Sequence, residues 1–198
     1  MFAARTHRRH STAHVRIVAG EFRGRRLSAP AGRETRPTAD RVREAIFALI
    51  GPVEGASVLD LFAGSGAMGL EALSRGAAGA TLVDRSPRAV ACLRTNVGTL
   101  GVEDRARVVA RDWRAALAAE RAAGRTYDLV ILDPPYTLLG RIAGRIGPAL
   151  EPLVPAGGTI VLEGAARAPL PTEVPPLHTT SRTDRTYGDT AVSVLRLR

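Results

Sequence analysis

The chain has 198 residues but no lysine, a single cysteine and few aromatic residues. One cysteine, Cys92, excludes an internal disulfide bond and leaves no partner for a metal site, so we expect no bound metal. No run of 18 apolar residues occurs and no apolar stretch follows the basic N-terminus, so we expect neither a transmembrane helix nor a secretory signal. A composition of 45% hydrophobic and 24% charged residues predicts a globular protein, and the length fits one α/β domain. We expect the protein to be a cytoplasmic monomer.

Positive charge is concentrated at the start of the chain. Residues 1–43 carry eleven arginines against three acidic residues, a net charge of +8, while the other 155 residues carry a net charge of +1. Such a concentration of positive charge is typical of a segment that binds a phosphate backbone, because guanidinium groups neutralise phosphates and release counterions. A GC-rich genome explains the absence of lysine, and a solvated basic surface is the alternative interpretation.

The pattern divides the chain into three segments. We expect residues 1–13 to be a flexible basic arm, since they show no periodicity. Residues 14–36 contain VRIVAGEFRGRRL, whose alternation around two glycines predicts a small N-terminal β-hairpin, which we interpret as an RNA-binding extension. Residues 37–198 are expected to form the main domain, which begins with a helix at 41–50 because its apolar residues recur at helical spacing.

From residue 57 onward, short apolar runs alternate with helical patterns. The runs are VLDLF, ATLVD, ARVVA, YDLVIL and TIVLE, and a helix is expected at about 139–151. This alternation predicts βαβ units in a mostly parallel sheet with helices on both faces. Two strand-like runs around Tyr187-Gly188-Asp189 predict that the sheet ends in an antiparallel hairpin. The fold class is therefore α/β and Rossmann-like.

Three of these strands end in residues that suit a nucleotide-like ligand. The first continues as LDLFAGSGAMGLEAL, where Gly64 and Gly66 form a tight turn that lets a ligand approach the backbone. The second ends at Asp84, where an acid accepts hydrogen bonds from ribose hydroxyls. The third is followed by Asp112 and Trp113, which suit an adenine amine and its ring. Taken singly, each acid is better interpreted as an ordinary helix N-cap, and the glycine turn also suits a dinucleotide. The three strand ends together favour a ligand-binding crevice.

The fourth strand ends in YDLVILDPPYTLLG and carries the most specific chemistry. Asp133 supplies a carboxylate, the rigid Pro134-Pro135 turn supplies carbonyl acceptors, and Tyr136 supplies an aromatic face. We predict that Asp133 and the Pro134 carbonyl accept the two N–H bonds of an exocyclic amine while Tyr136 stacks on the base. An amine bound in this way is held in a fixed orientation, so any catalysis at this site would rest on positioning and electrostatics. A carboxylate favours guanine, which presents adjacent N1–H and N2–H donors, over adenine.

In combination these motifs resemble a known family. RIVAGEFRGRRL, RPTADRVREAIF, LDLFAGSGAMGLEALSRGA, DPPY and YGDTAVSVLR resemble the RsmD family of 16S rRNA guanine-N2 methyltransferases, over residues 15–196. The resemblance implies a Rossmann-like class I methyltransferase with a mostly parallel seven-stranded sheet, an antiparallel C-terminal hairpin, and S-adenosyl-L-methionine as cofactor. It also implies 16S rRNA as the partner, either alone or within an assembled or assembling small ribosomal subunit.

The motifs and the resemblance assign three sets of site residues. The catalytic set is Asp133, Pro134, Pro135 and Tyr136. The cofactor set comes from the RPT segment, the glycine turn and the strand ends: Arg36, Thr38, Asp60, Phe62, Ala63, Gly64, Ser65, Gly66, Asp84, Arg85, Asp112, Trp113 and Asp133. From the charge distribution we expect RNA phosphates to contact Arg23, Arg25, Arg26 and Arg41.

Two other functions fit parts of the pattern. A DNA adenine-N6 or cytosine-N4 amino-methyltransferase also fits DPPY, although the chain offers no separate target-recognition domain. A catalytically silent RNA-binding module would need neither Asp133 nor the glycine turn. In every enzymatic interpretation the target base must be unpaired or flipped to reach the pocket, at a cost of a few kcal/mol.

Overall fold

The computed structural model describes residues 15–30, 40–168, 170–171, 174 and 176–198, without the side chains of Tyr136, Thr137 and Leu139. The expected arm at residues 1–13, Arg36 and Thr38 therefore lie outside the described residues. No helix in the described ranges is long and apolar enough to cross a membrane.

The elements follow the alternation that the sequence predicts. The strands are β1 (Val15–Arg16), β2 (Arg26–Leu27), β3 (Ser57–Leu61), β4 (Gly79–Asp84), β5 (Ala106–Ala110), β6 (Leu129–Leu132), β7 (Thr159–Ala165), β8 (Thr179–Tyr187) and β9 (Thr190–Leu197). The helices are α1 (Asp40–Ile50), α2 (Ala67–Ser74), α3 (Pro87–Leu100), α4 (Trp113–Ala122) and α5 (Tyr136–Leu150). Helix α5 begins at Tyr136, earlier than expected; Pro135 is its N-cap, and the Pro135 carbonyl accepts the Leu138 N–H at 2.7 Å.

Seven strands form one sheet in the order β5-β4-β3-β6-β7-β9-β8. Strands β3 to β7 are parallel to one another. Strand β9 runs antiparallel to both β7 and β8, so the predicted C-terminal hairpin is confirmed. The order reverses between β3 and β6, and in an open α/β sheet ligands bind beyond the carboxyl ends of the strands at such a point.

The sheet is covered on both faces. Apolar side chains of α1, α2 and α3 form one buried cluster with one face, and those of α4 and α5 form a second cluster with the other face. Because side chains alternate along a strand, Val58 and Ile131 face the first cluster while Leu59 and Leu132 face the second. The same alternation decides which strand-end side chains share a face of the sheet.

The N-terminal hairpin packs against α2 rather than standing apart. Its strands pair antiparallel, Val15 with Leu27, and both side chains are buried in the first cluster. The fully buried Glu71 of α2 accepts hydrogen bonds from the backbone N–H groups of Val18 (2.7 Å) and Ala19 (2.9 Å). Gly20 passes so close to α2 that a Cβ atom there would lie 1.7 Å from the Ser74 carbonyl oxygen, which only glycine avoids.

Candidate active site

The turn between β3 and α2 is shaped by left-handed backbone. Phe62 (φ +80°), Gly64 (φ +56°) and Gly66 (φ +78°) all have positive φ, and Gly66 is the N-cap of α2. The N–H groups of Phe62 and Ala63 both donate to the Val83 carbonyl at 3.0 and 2.9 Å, which ties the turn to β4. Positive φ at a bulky residue such as Phe62 is strained, and such strain is found preferentially at ligand sites.

Asp84 joins the turn from the end of β4. Its carboxylate accepts the Gly64 N–H at 3.0 Å and the Ser86 N–H at 2.8 Å. A carboxylate has about four acceptor positions, so two hydroxyl donors can still be accommodated. This geometry fits the predicted ribose contact.

Asp112 and Trp113 follow β5. Asp112 is the N-cap of α4 and accepts the Arg114 N–H at 3.0 Å, so the helix-capping interpretation holds for this acid. Trp113 is buried, and the Arg114 guanidinium carbon lies 4.7 Å from the centre of its ring. The second carboxylate oxygen of Asp112 and the Trp113 ring remain candidates for an adenine contact.

The DPPY segment leads from β6 into α5. Pro134 is buried, and the Pro135 carbonyl accepts the Leu138 N–H at 2.7 Å. The first turn of α5 therefore uses one of the two acceptor positions of the Pro135 carbonyl. The Pro134 carbonyl is the one that the amine-binding hypothesis needs. The side chain of Tyr136 lies outside the described residues.

Three carboxyl groups meet beneath this segment on one face of the sheet. Asp60 on β3 and Glu163 on β7 are both buried, and Asp133 is partly open to the crevice. Asp60 accepts the Gly69 N–H at 3.0 Å, and a Cβ atom at Gly69 would lie 3.2 Å from Asp60 and 2.4 Å from Leu82. Gly69 therefore allows α2 to approach this part of the sheet closely.

Burial and mutual repulsion raise the pKa values of these acids. Burial is the main cause that raises the pKa of Asp60 to about 7; the Gly69 N–H bond opposes it, and the charges of Asp84 and Glu163 add to it. Burial, followed by the charges of Glu163 and Asp60, raises the pKa of Asp133 well above its usual range. A cationic ligand in this crevice would favour the ionised carboxylates.

A cavity of about 420 Å³ opens at this edge of the sheet. Most of the predicted cofactor and catalytic residues line it: Asp60, Phe62, Ala63, Gly64, Ser65, Asp84, Arg85, Asp112, Trp113, Asp133, Pro134 and Pro135. Gly66 instead sits under the turn, where a Cβ atom would meet the side chains of Leu93 and Leu70. The structure thus brings these residues together, and their binding roles stay predictions.

Sequence reasoning missed several residues of the cavity wall. Glu163, Arg111, Ser86 and Met68 line it, as do Val15, Ala29 and Pro30 from the N-terminal extension. Glu163 ends the run TIVLE, so the strand-end rule that found Asp84 and Asp133 would have found it. No sequence signal points to Val15 or Pro30, because only the packing of the hairpin brings them to the cavity.

The arginines predicted to contact RNA are exposed on the hairpin and α1. Arg25 donates to the Thr99 carbonyl at 2.6 Å, which anchors it to the end of α3. Arg23, Arg26 and Arg41 are exposed, and the extension that carries the first two also forms part of the cavity wall. Their contact with RNA stays a prediction.

A second hollow, of about 570 Å³, lies between α4 and α5. It shares Trp113 and Arg114 with the first cavity, and its other polar lining residues are Arg121 and Arg145. It contains no carboxylate that could orient an amine, so the chemistry belongs to the first cavity. Among the described residues, no group of acids, histidines or cysteines has the arrangement of a metal site.

The fold and the cavity together define a class I methyltransferase that uses S-adenosylmethionine. The sheet order, the glycine turn and the acid at the end of β4 are the features expected of a nucleoside site. The acidic floor of the cavity, formed by Asp60, Asp133 and Glu163, fits a ligand that carries a sulfonium and an amino cation. A family model described as Conserved hypothetical protein 95 matches residues 15–196. The chain belongs to this family, the RsmD family of methyltransferases, which confirms the resemblance seen in the sequence.

Individual relatives agree with this assignment. YlbH of Bacillus subtilis, provisionally named as an rRNA methyltransferase, is 39% identical over 196 residues, which cover 93% of this chain and all of YlbH. Ribosomal RNA small subunit methyltransferase D of Escherichia coli is 44% identical over 126 residues, 63% of this chain and 62% of its own length. The solved structure of Escherichia coli yhhF, provisionally named a methyltransferase, superimposes with a TM-score of 0.77 at 34% identity and covers 93% of this chain and 98% of its own.

Proposed function

We propose that this protein transfers a methyl group from S-adenosylmethionine to the exocyclic N2 amine of a guanine in 16S rRNA. The observation that carries the proposal is the Asp133-Pro134 segment, because both residues line the cavity that fits the cofactor. The names of the relatives, which refer to rRNA and to the small ribosomal subunit, support RNA as the substrate. They do not favour the DNA amino-methyltransferase alternative.

The residues of the chain supply position and charge. When bound, the cofactor supplies an electrophilic methyl group. Asp84 and the Gly64 turn hold its ribose, and Asp133 with the Pro134 carbonyl accepts the two N–H bonds of the target amine. Because both N–H bonds then point at acceptors, the nitrogen lone pair is less conjugated with the ring and faces the methyl group. Tyr136 stacks on the base.

The RNA is proposed to approach across the N-terminal extension. Its phosphates are contacted by Arg23, Arg25, Arg26 and Arg41, and the target base leaves its helix to enter the cavity. The substrate is 16S rRNA, free or within the small subunit, and the enzyme acts as a cytoplasmic monomer. Residues 14–36 serve as the RNA-binding extension of the methyltransferase domain at 37–198.

The experiment compares nucleic acids as methyl acceptors. The purified protein is incubated with methyl-labelled S-adenosylmethionine and naked 16S rRNA, intact small subunits, or duplex DNA. We expect label in RNA, in one or both ribosomal substrates, and none in DNA. A Glu151→Gln variant, which changes an exposed acid, is the control and should keep full transfer. Label in DNA adenine or cytosine would overturn the proposal.

A further inference from the structure

Glu163 stands beside Asp133 at the edge of the sheet. In the parallel pairing of β6 and β7, Leu132 lies opposite Leu162, so Asp133 and Glu163 occupy the next positions of neighbouring strands. Backbones of paired strands lie about 4.8 Å apart. Strand alternation places Glu163 on the same face as Val161, which is the face of the first cluster and of α2.

Glu163 also belongs to the wall of the proposed reaction site. It is 4% exposed and lines the same cavity as Asp133, Pro134 and the glycine turn. Its charge raises the pKa of both Asp60 and Asp133, which shows how close the three carboxyl groups are. The side of the cavity next to Asp133 therefore offers two carboxyl groups from adjacent strands.

The hydrogen-bonding edge of guanine differs from the edges of the other amino bases. It has three donors in a row, two on N2 and one on N1. Adenine and cytosine have an amine with two donors beside a ring nitrogen that is an acceptor. If Asp133 and the Pro134 carbonyl take both donors of the amine, guanine still has N1–H to satisfy, whereas adenine and cytosine turn a lone pair to the same place.

We propose that Glu163 accepts the N1–H of the target guanine and so distinguishes guanine from adenine and cytosine. The inference rests on the proposed function and adds the residue that sets the base specificity. Asp133 and Pro134 then orient the reacting amine, while Glu163 recognises the neighbouring ring position. A carboxylate facing a ring lone pair repels it, so the same residue that favours guanine also rejects the other two bases.

The test uses 2-aminopurine, which keeps the 2-amino group but has an acceptor at N1. A 16S rRNA fragment carrying guanine or 2-aminopurine at the labelled position is methylated by the wild type, by Glu163→Gln and by Glu151→Gln. The wild type should prefer guanine by about tenfold to a hundredfold in kcat/KM, because 2-aminopurine leaves the carboxylate unpaired. Glu163→Gln offers an amide N–H to the ring nitrogen, so its preference should fall about tenfold or more.

Each ratio compares two substrates on one variant, so a loss of cofactor affinity or of folded protein cancels. Glu151→Gln makes the same acid-to-amide change at an exposed position and should keep the wild-type ratio. Should Glu163→Gln fail to fold, Glu163→Asp retains the charge and should keep the guanine preference at a lower rate. A wild-type ratio in Glu163→Gln, or loss of the preference in Glu163→Asp, overturns the inference. Absence of guanine label with the wild type in both naked 16S rRNA and intact small subunits would instead refute the proposed function.

Discussion

The acidic floor of the cavity predicts a pH-dependent stability that one substitution should remove. Asp60 is buried beside two other acids, and its pKa is raised from 3.8 to about 7. The unfolded chain therefore loses this proton at a lower pH than the folded chain. Consequently the folded state loses stability from this group as the pH rises from about 4 to 7.

The size of this effect follows from the shift. A shift of about 3 units corresponds to about 4 kcal/mol of folding free energy, at about 1.4 kcal/mol per unit. Asp60→Asn removes the charge, and the amide oxygen of asparagine still accepts the Gly69 N–H. The free energy of unfolding of Asp60→Asn minus that of the wild type should therefore become more positive by about 4 kcal/mol between pH 4 and pH 8.

The assay is urea unfolding of the cofactor-free protein at unit pH intervals. Asp184→Asn is the control with the opposite sign, because hydrogen bonds from Arg182 are the main cause that lowers the pKa of Asp184. The stabilising contribution of the Asp184 carboxylate is present at neutral pH and is lost as the pH falls below the usual range of aspartate pKa values. The free energy of unfolding of Asp184→Asn should therefore differ most from that of the wild type near pH 7. If the free energies of unfolding of Asp60→Asn and the wild type change in parallel between pH 4 and pH 8, the reasoning about the buried acids is wrong.

Three further predictions concern the cofactor, the RNA and the hairpin. Asp84→Ala should weaken S-adenosylmethionine binding about tenfold or more in calorimetry, because it removes the acceptor of the Gly64 turn and of the ribose. Replacing Arg23, Arg25 and Arg26 together by alanine should flatten the log–log salt dependence of RNA affinity by about two units, at about 0.7 per phosphate contact. Glu71→Ala should lower the free energy of unfolding by about 3–5 kcal/mol, because buried arginine and backbone donors lose their acceptor.

Each of these predictions has its contrary result. An unchanged cofactor affinity in Asp84→Ala would move the nucleoside site away from β4. A salt slope unaffected by the triple replacement would mark the hairpin arginines as a solvated surface. A Glu71 variant as stable as the wild type in urea would mean that the hairpin is held by its apolar side chains alone.

The order and type of the elements could be predicted from the sequence because both depend on local periodicity. Continuous apolar runs separated by helical patterns specify a parallel sheet, and the Tyr187-Gly188-Asp189 turn marks the one antiparallel hairpin in it. Pairing across the sheet is different, since it depends on neighbours distant in sequence. For this reason the strand-end rule could have flagged Glu163 as a candidate, but only the pairing of β6 with β7 shows that it lies beside Asp133.

The charge of the N-terminal segment shows another limit of sequence reasoning. Counting arginines treats them alike, but Arg43 is fully buried and pairs with Asp40 and Glu71. Arg16 also pairs with Asp40. The positive charge available to a partner is therefore smaller than the count indicates, and only packing separates structural arginines from exposed ones.

The most direct test of the account is the identity of the methylated nucleoside. After reaction with methyl-labelled S-adenosylmethionine, 16S rRNA is digested to nucleosides and separated by mass spectrometry. The account predicts N2-methylguanosine with the wild type, and a loss of about a hundredfold or more in turnover in Asp133→Ala at saturating cofactor. Label on any base other than guanine, or near wild-type transfer by Asp133→Ala, would contradict the central claim that Asp133 orients a guanine amine for methylation.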